Sequence, residues 1–214
     1  MCGIVGVFEP KGFASSSDIE ARVRRAADAA AYRGPDASGY FALPKEGIAF
    51  GHRRLSILDL EVRSNQPMSS ADGDILLTYN GEIYNFRELR SALEGEGAVF
   101  RTKSDTEVLI EGYRAWGLTE LLKRSVGMFA FALFDKKERL LYLARDRAGQ
   151  KPLFYSRLSS GGIVFGSEIR SILILKPEAR ALDPAGLDAY LSLKMTPSPR
   201  TLFKGVQKLP PGHF

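Results

Sequence analysis

The stretch Met1-Cys2-Gly3-Ile4-Val5-Gly6-Val7-Phe8 opens the chain and contains its only cysteine, placed directly before a short apolar run. The run has the length and composition of a buried strand, which would hold Cys2 at its leading end. Met1 precedes a small side chain, so its removal would leave Cys2 with both a thiol and a free α-amine. A free thiol has a pKa near ~8.5 and an α-amine near ~7.7–8.0, so the amine can accept the thiol proton near neutral pH. Cys2 thus offers a nucleophile with its own base, although a lone cysteine here more often does no more than open a strand.

Composition limits the class of protein. The 214 residues suffice for one substantial domain or two small ones, and 44% hydrophobic with 26% charged residues is ordinary for a globular chain. A single cysteine excludes an internal disulfide. With no apolar span of bilayer length and no signal-peptide pattern, we expect a cytoplasmic protein without a membrane anchor. The net charge of +5 is scattered along the chain, which argues against a nucleic-acid groove.

Apolar periodicity predicts strands early and late in the chain, with helices concentrated in its first part. The predicted strands are 3–8, 39–43, 48–54, 75–79, 128–134, 140–144, 152–156 and 163–167. The predicted helices are 15–31, 86–93 with Asn85 as cap, one capped by Ser104, 168–173 and 184–193. Segment 58–74 is predicted as a loop, and 195–214 as a proline-rich tail.

This grouping favours an α+β layered fold with mainly antiparallel sheets over a doubly wound parallel one. The sequence lacks a strand–GxGxxG–helix unit, so a Rossmann dinucleotide site is not expected.

Several other chemistries lack the residues they need. One cysteine and two histidines, His52 and His213, cannot make a usual zinc set. A Ser-His-Asp triad would have to use one of these histidines, and no G-x-S-x-G motif accompanies them. Ser160-Gly161-Gly162 is superficially similar to the loop of ATP pyrophosphatases, but Val164 stands where that loop needs an acid. Cys2 is therefore the most economical nucleophile.

An amide hydrolase built on Cys2 also needs oxyanion donors, and clamps for the two ends of an amino acid. The Asn80-Gly81 pair could supply an amide N–H and a backbone N–H, although Asn-Gly is more often a type I′ hairpin turn. Arg54 could hold a carboxylate with its bidentate fork, or be a surface residue. Asp105 could pair with an ammonium, or merely complement a helix N-terminus.

Seven segments together resemble the glutaminase domain of glutamine-dependent asparagine synthetases. The similarity runs from Met1 to Phe214. Its segments are Met1-Cys2-Gly3-Ile4, Tyr32-Arg33-Gly34-Pro35-Asp36, His52-Arg53-Arg54-Leu55-Ser56-Ile57-Leu58-Asp59, Tyr79-Asn80-Gly81-Glu82-Ile83-Tyr84-Asn85, Thr102-Lys103-Ser104-Asp105-Thr106-Glu107, Gly127-Met128-Phe129-Ala130-Phe131-Ala132 and Ala144-Arg145-Asp146-Arg147.

The resemblance implies a class II glutamine amidotransferase of the N-terminal-nucleophile hydrolase type. That class has a four-layer α/β/β/α sandwich of two mainly antiparallel sheets. Glucosamine-phosphate synthase and the phosphoribosyl-pyrophosphate amidotransferase are similar in Cys2 and the Asn-Gly pair. The segments 54–59 and 79–85 favour the asparagine synthetase branch.

The resemblance also implies roles at matching positions. Catalysis would use Cys2 as nucleophile, its own amine as base, and Asn80 with Gly81 as the oxyanion hole. Glutamine would be bound by Arg54 at its α-carboxylate, the Ile57 and Leu58 backbone, Asn80, Gly81, Glu82 beside the substrate, and Asp105 at its α-ammonium. The charges of Arg54 and Asp105 match the two ends of one zwitterion, which would fix the direction in which the substrate lies.

The implied reaction converts L-glutamine to L-glutamate and ammonia through a γ-glutamyl thioester. Residues 2–194 would form the glutaminase domain, and 195–214 a junction toward a C-terminal ATP-dependent synthetase domain. That domain is absent from this chain, so we expect a fragment with glutaminase chemistry but no amide synthesis.

The glutaminase domain itself would need no metal or other cofactor, while ATP and Mg would serve only the absent domain. Its partners would be L-glutamine and the synthetase domain, and a homodimer stays open. Two alternatives also stay open: an amidotransferase for a sugar or another carboxylate, and a non-catalytic regulatory domain of the same fold.

Overall fold

The computed structural model describes residues 1–214, with the side chain of Ser16 left out. Its strands are β1 (Gly3–Phe8), β2 (Ala37–Leu43), β3 (Ile48–Arg54), β4 (Met68–Ser69), β5 (Ile75–Ile83), β6 (Gly127–Asp135), β7 (Leu140–Arg145), β8 (Phe154–Arg157), β9 (Ile163–Gly166) and β10 (Val206–Lys208). Its helices are α1 (Ser16–Asp28), α2 (Phe86–Gly95), α3 (Asp105–Arg124), α4 (Ile169–Leu175) and α5 (Pro184–Leu193).

The strands form two antiparallel sheets. The first has six strands in the order β10-β8-β9-β1-β3-β2, and the second has four in the order β4-β5-β6-β7. β1 is central in the first sheet, paired with β3 on one side and β9 on the other. The strand that carries Cys2 at its start is therefore fixed along both edges.

Side chains of alternate residues divide between two faces of each sheet, as strand geometry requires. Between the sheets lies one apolar cluster, which includes Ile4, Phe50, Leu76, Phe134 and Phe165. A second cluster packs the first sheet against α1 and α4, and a third packs β5 and β6 against α2 and α3. The result is the predicted four-layer α/β/β/α sandwich.

Most predicted elements are present, with corrections at their ends. The first helix stops at Asp28 instead of residue 31, and a short 3₁₀ turn follows before Gly34. Ser104 caps α3 as predicted, and Ser15, the first residue of the predicted helix 15–31, is the cap of α1. Asn85 makes no helix-cap bond; its side chain instead bonds the Arg124 carbonyl and the Val126 N–H, each at 2.9 Å. The polar side chain thus ties two loops together.

The largest correction concerns β5. The predicted strand ended at residue 79, with Asn80-Gly81 as a possible turn, but β5 continues to Ile83 and pairs with β6 throughout. The type I′ hairpin alternative for Asn80-Gly81 is therefore wrong. Pairing with β6 holds the dipeptide extended where local sequence favours a turn.

The segment 195–214 packs on the first sheet. Its strand β10 pairs with β8, and the Leu209 N–H donates to the Leu153 carbonyl at 2.8 Å. The proposed boundary at residue 194 stays a prediction. No helix in the described part of the chain is both long and apolar enough to cross a membrane.

Candidate active site

A cavity of about 190 Å³ lies where β1 begins and where β3 and β5 end. Every site residue predicted from the sequence lines it: Cys2, Arg54, Ile57, Leu58, Asn80, Gly81, Glu82 and Asp105. The fold therefore brings together four segments that are far apart in sequence.

Both the side chain and the backbone carbonyl of Cys2 are hydrogen-bonded. The Leu55 N–H donates to Cys2 Sγ at 3.4 Å, and the thiol lies 3.6 Å from the Leu55 carbonyl oxygen. Arg33 Nε donates to the Cys2 carbonyl at 3.0 Å, and its guanidinium is paired with Glu168 at 2.6 Å. Arg33 thus anchors the residue that carries the thiol, a role that the sequence analysis did not assign.

Burial raises the pKa of the Cys2 thiol above its ordinary value. The Leu55 N–H, the positive N-terminus and Arg54 each lower that pKa, while Asp105 raises it. Because the thiol stays protonated near neutral pH, attack by its sulfur needs a base.

The edge of β5 is open beside this thiol. β4 pairs only with Leu76 and Leu77, so the rest of that edge has no neighbouring strand. Side chains satisfy the next backbone groups: the Tyr79 N–H donates to Gln66 Oε1 at 2.6 Å, and the Tyr79 carbonyl lies 3.0 Å from His52 Nε2.

Gly81 continues this open edge. In an antiparallel strand, every second residue directs its N–H to the same edge, so the Gly81 N–H shares the edge of Tyr79. Ile83, next in the same row, donates its N–H to Asp105 Oδ2 at 3.0 Å. A Cβ at Gly81 would lie 2.3 Å from the Met128 carbonyl oxygen, so only glycine allows β5 and β6 to pair this closely here.

Asn80 supplies the second donor. Its side chain is 1% exposed, and no acceptor among the described residues lies within hydrogen-bond distance of Nδ2. A buried amide without a partner is uncommon, because leaving it unmet costs about 1–3 kcal/mol. Asn80 and Gly81 thus both line the cavity, and two neighbouring N–H donors are the kind of arrangement that can stabilise an oxyanion.

Asp105 begins α3, just after its cap Ser104. Its Oδ2 accepts the Tyr79 hydroxyl at 2.7 Å and the Ile83 N–H at 3.0 Å. Burial raises the pKa of this carboxyl, and these two hydrogen bonds oppose the rise. The carboxylate is therefore fixed in position at the cavity wall.

Arg54 is buried and bonded to the loop that follows it. Nη1 donates to the Glu61 carbonyl at 3.2 Å and to Asn65 Oδ1 at 2.7 Å. Nη2 donates to the carbonyls of Leu58, at 3.2 Å, and Asp59. All four terminal N–H groups thus have acceptors within the chain, so an end-on bidentate contact of Nη1 and Nη2 with a carboxylate requires two of these bonds to be exchanged.

His52 is fully buried and does not line the cavity. Burial lowers its pKa to about 4, and its Nε2 faces the Tyr79 carbonyl. A neutral imidazole with Nε2 protonated satisfies that contact. His52 thus contacts β5 at the carbonyl of Tyr79, the residue before Asn80.

Other cavity residues were not singled out from the sequence. Ser64, Gln66, Tyr79 and Lys151 line it, and each is at most 7% exposed. Their positions depend on long-range contacts that no local motif reveals. Among the described residues, no group of three or more His, Cys, Asp or Glu side chains is placed to hold a metal ion.

Comparison with known proteins shows which family this chain is similar to. The family described as "Glutamine amidotransferase domain" matches residues 1–214. "Asparagine synthetase [glutamine-hydrolyzing] 1" of Bacillus subtilis (strain 168) is 41% identical over 212 residues, covering 99% of this chain and 33% of that protein. A "Putative asparagine synthetase [glutamine-hydrolyzing]" of Mycobacterium tuberculosis (strain ATCC 25618 / H37Rv) is 40% identical, covering 100% of this chain and 34% of its own length.

A solved structure agrees on the fold. Glutamine phosphoribosylpyrophosphate amidotransferase from B. subtilis superposes with a TM-score of 0.65 at 21% identity, covering 81% of this chain and 43% of that one. The present chain spans only about a third of the length of the curated relatives above, 33% and 34%. On the family match over its whole length, the chain belongs to the glutamine amidotransferase domain family.

Proposed function

We propose that this domain hydrolyses the side-chain amide of L-glutamine through a γ-glutamyl thioester on Cys2, once Met1 has been removed. The observation that carries the proposal is that one cavity is lined by Cys2, by Asn80 with an unpartnered amide and Gly81, and by Arg54 and Asp105. A zwitterion lying between Arg54 and Asp105 has only one favourable direction, which presents its side-chain amide to the thiol.

Each step uses a group of this chain. The α-amine of Cys2 takes the thiol proton, and the sulfur attacks the carboxamide carbon. The oxyanion is held by Asn80 Nδ2 and the Gly81 N–H. The C–N bond breaks, the amine returns its proton to the departing nitrogen, and ammonia leaves. Water, deprotonated by the same amine, then attacks the thioester to release glutamate and the thiol.

The direct test is ammonia release by the chain trimmed to Cys2. We expect ammonia and glutamate in equal amounts from L-glutamine. D-Glutamine should give little of either. With its α-carbon inverted, it cannot place its carboxylate at Arg54 and its ammonium at Asp105 while keeping the side-chain amide at the thiol. Equal turnover of the two enantiomers, or no release from L-glutamine, would refute the proposal.

The ammonia is proposed to supply an ATP-dependent asparagine synthetase domain in the cytoplasm, with ATP and Mg needed only there. Two observations support this proposal. The relatives are named as glutamine-hydrolysing asparagine synthetases, and the alignment with the first of them covers 99% of this chain but only 33% of that longer protein. The 41% identity to that relative exceeds the 21% to the phosphoribosylpyrophosphate enzyme.

We expect Asn80→Ala to lower kcat by roughly a hundred- to a thousandfold, the usual effect of removing one oxyanion donor. KM for glutamine should change little, because the donor acts on charge that develops only in the transition state. Steady-state kinetics of ammonia release check this. A raised KM with unchanged kcat would instead make Asn80 a ground-state contact.

We expect Tyr79→Phe to shift the acid limb of glutamine binding toward higher pH. The Tyr79 hydroxyl hydrogen bond lowers the pKa of Asp105, so its loss leaves that pKa further raised by burial and by Glu82. Since only the ionised carboxylate pairs with an ammonium, binding weakens as pH falls through this pKa, and does so sooner in the variant. Profiles of kcat/KM against pH measure the shift; superimposable acid limbs would contradict it.

A further inference from the structure

The carboxylate side of the cavity lacks a free directed donor on Arg54. Its four terminal N–H groups are all accepted by the loop that follows it. Arg54 can offer its charge and its Nε–H there, but its fork is in use. A further donor on this side would therefore strengthen the binding of a carboxylate.

Ser64 has such a donor. Its side chain is 2% exposed, it lines the cavity, and its Oγ forms no hydrogen bond of good geometry with any described residue. A buried hydroxyl without a partner costs about 1–3 kcal/mol, so a ligand or water that accepts its proton is favoured.

The local backbone places Ser64 on the Arg54 side. Ser64 ends a 3₁₀ turn, and its N–H donates to the Glu61 carbonyl at 3.1 Å. The same carbonyl and the side chain of Asn65, the next residue, both accept from Arg54 Nη1. Ser64 is thus hydrogen-bonded to one acceptor of Arg54 Nη1, the Glu61 carbonyl, and is next in sequence to the other, Asn65.

We propose that the Ser64 hydroxyl donates a hydrogen bond to the α-carboxylate of the substrate, completing a site in which Arg54 supplies the charge. This inference rests on the proposed function, because it names a contact with glutamine. It makes Ser64 a residue that selects substrates by their carboxylate.

Asp59 is the competing acceptor. Burial raises the pKa of its carboxyl, but the Lys103 N–H, the nearby Ser64 hydroxyl and the Glu61 N–H bring it below its ordinary value. The Ser64 hydroxyl is thus near Asp59 without forming a well-aligned hydrogen bond to it. Its oxygens already accept the N–H groups of Lys103 at 2.7 Å and Glu61 at 3.3 Å. If Ser64 served Asp59 alone, its loss would disturb the loop for every substrate equally.

Calorimetry on the Cys2→Ala protein, trimmed of Met1, measures binding without turnover. We expect Ser64→Ala on this background to raise Kd for L-glutamine about tenfold or more, as expected for a hydrogen bond to a charged group. For L-glutamine α-amide, which lacks the carboxylate, the same substitution should change Kd less than twofold. Ser171→Ala is the matched control: it removes a buried serine hydroxyl whose Oγ donates to the Ala26 carbonyl at 2.7 Å, away from the cavity.

The outcomes separate the two proposals. An unchanged Kd for glutamine, or an equal rise for glutamine and its α-amide, overturns the role of Ser64. Tight binding with the expected Ser64 effect, but no ammonia from the parent chain, overturns the proposed hydrolysis and leaves the Ser64 contact standing. Absence of any glutamine binding overturns both.

Discussion

Replacing Cys2 by alanine should abolish ammonia release from L-glutamine while leaving the fold and glutamine binding intact. The thiol is the only sulfur nucleophile in the sequence, and it faces the cavity where the amide must lie. Loss of the attacking atom should reduce turnover by roughly 10³-fold or more, to what binding and the oxyanion donors alone provide. Stability should change little, because the side chain is only half-buried and β1 remains paired on both edges.

The measurement is ammonia production beside thermal unfolding and calorimetric binding of glutamine. Mass spectrometry should confirm that the variant is processed like the parent at its N-terminus. Residual turnover above a few per cent of the parent, with clean processing, would show that another residue attacks. A large fall in melting temperature would instead show that Cys2 serves the strand.

Local patterns predicted the elements around this cavity, whereas the candidate roles of its residues came from the family resemblance. The apolar run after Cys2 indicates β1 because burial on both faces leaves a continuous hydrophobic strand. The Ser104 cap indicates the start of α3 and so the position of Asp105, because capping depends on residues next to each other in sequence.

The Asn80-Gly81 pair shows where local reasoning fails. Its dipeptide preference indicates a turn, but nine residues of pairing between β5 and β6 override it. The Gly81 N–H then lies on an edge that β4 leaves uncovered, which depends on how far the two-residue β4 extends along β5.

Arg54 shows a second limit. The family resemblance implies a carboxylate site at Arg54, yet its guanidinium is bound by acceptors four to eleven residues later in the same loop. Neither spacing nor composition predicts which donors a folded loop leaves free. The contact of Arg33 with Cys2 was equally unpredictable from local sequence, because the two residues are 31 positions apart.

An uncleaved Met1, or any residue left before Cys2, should silence glutamine hydrolysis although thiol and cavity remain. An acylated nitrogen is an amide without a basic lone pair, so it cannot accept the thiol proton. The Cys2 thiol needs a base to become a thiolate, because burial raises its pKa. Loss of a general base costs roughly 10²–10⁴-fold. Met1 also lines the cavity and so occupies space beside Cys2 that the proposed substrate would need.

The comparison is between a Met1-Cys2 precursor kept by blocked processing and the same protein trimmed to Cys2, each terminus certified by mass spectrometry. An enzyme with a histidine base would be nearly indifferent to the extension, but His52 lies outside the cavity with its pKa lowered to about 4. Thiol alkylation by a small reagent reports whether Cys2 stays accessible in both forms. Equal turnover of glutamine would contradict the α-amine mechanism and would direct the search for the base to the cavity carboxylates, Glu82 and Asp105.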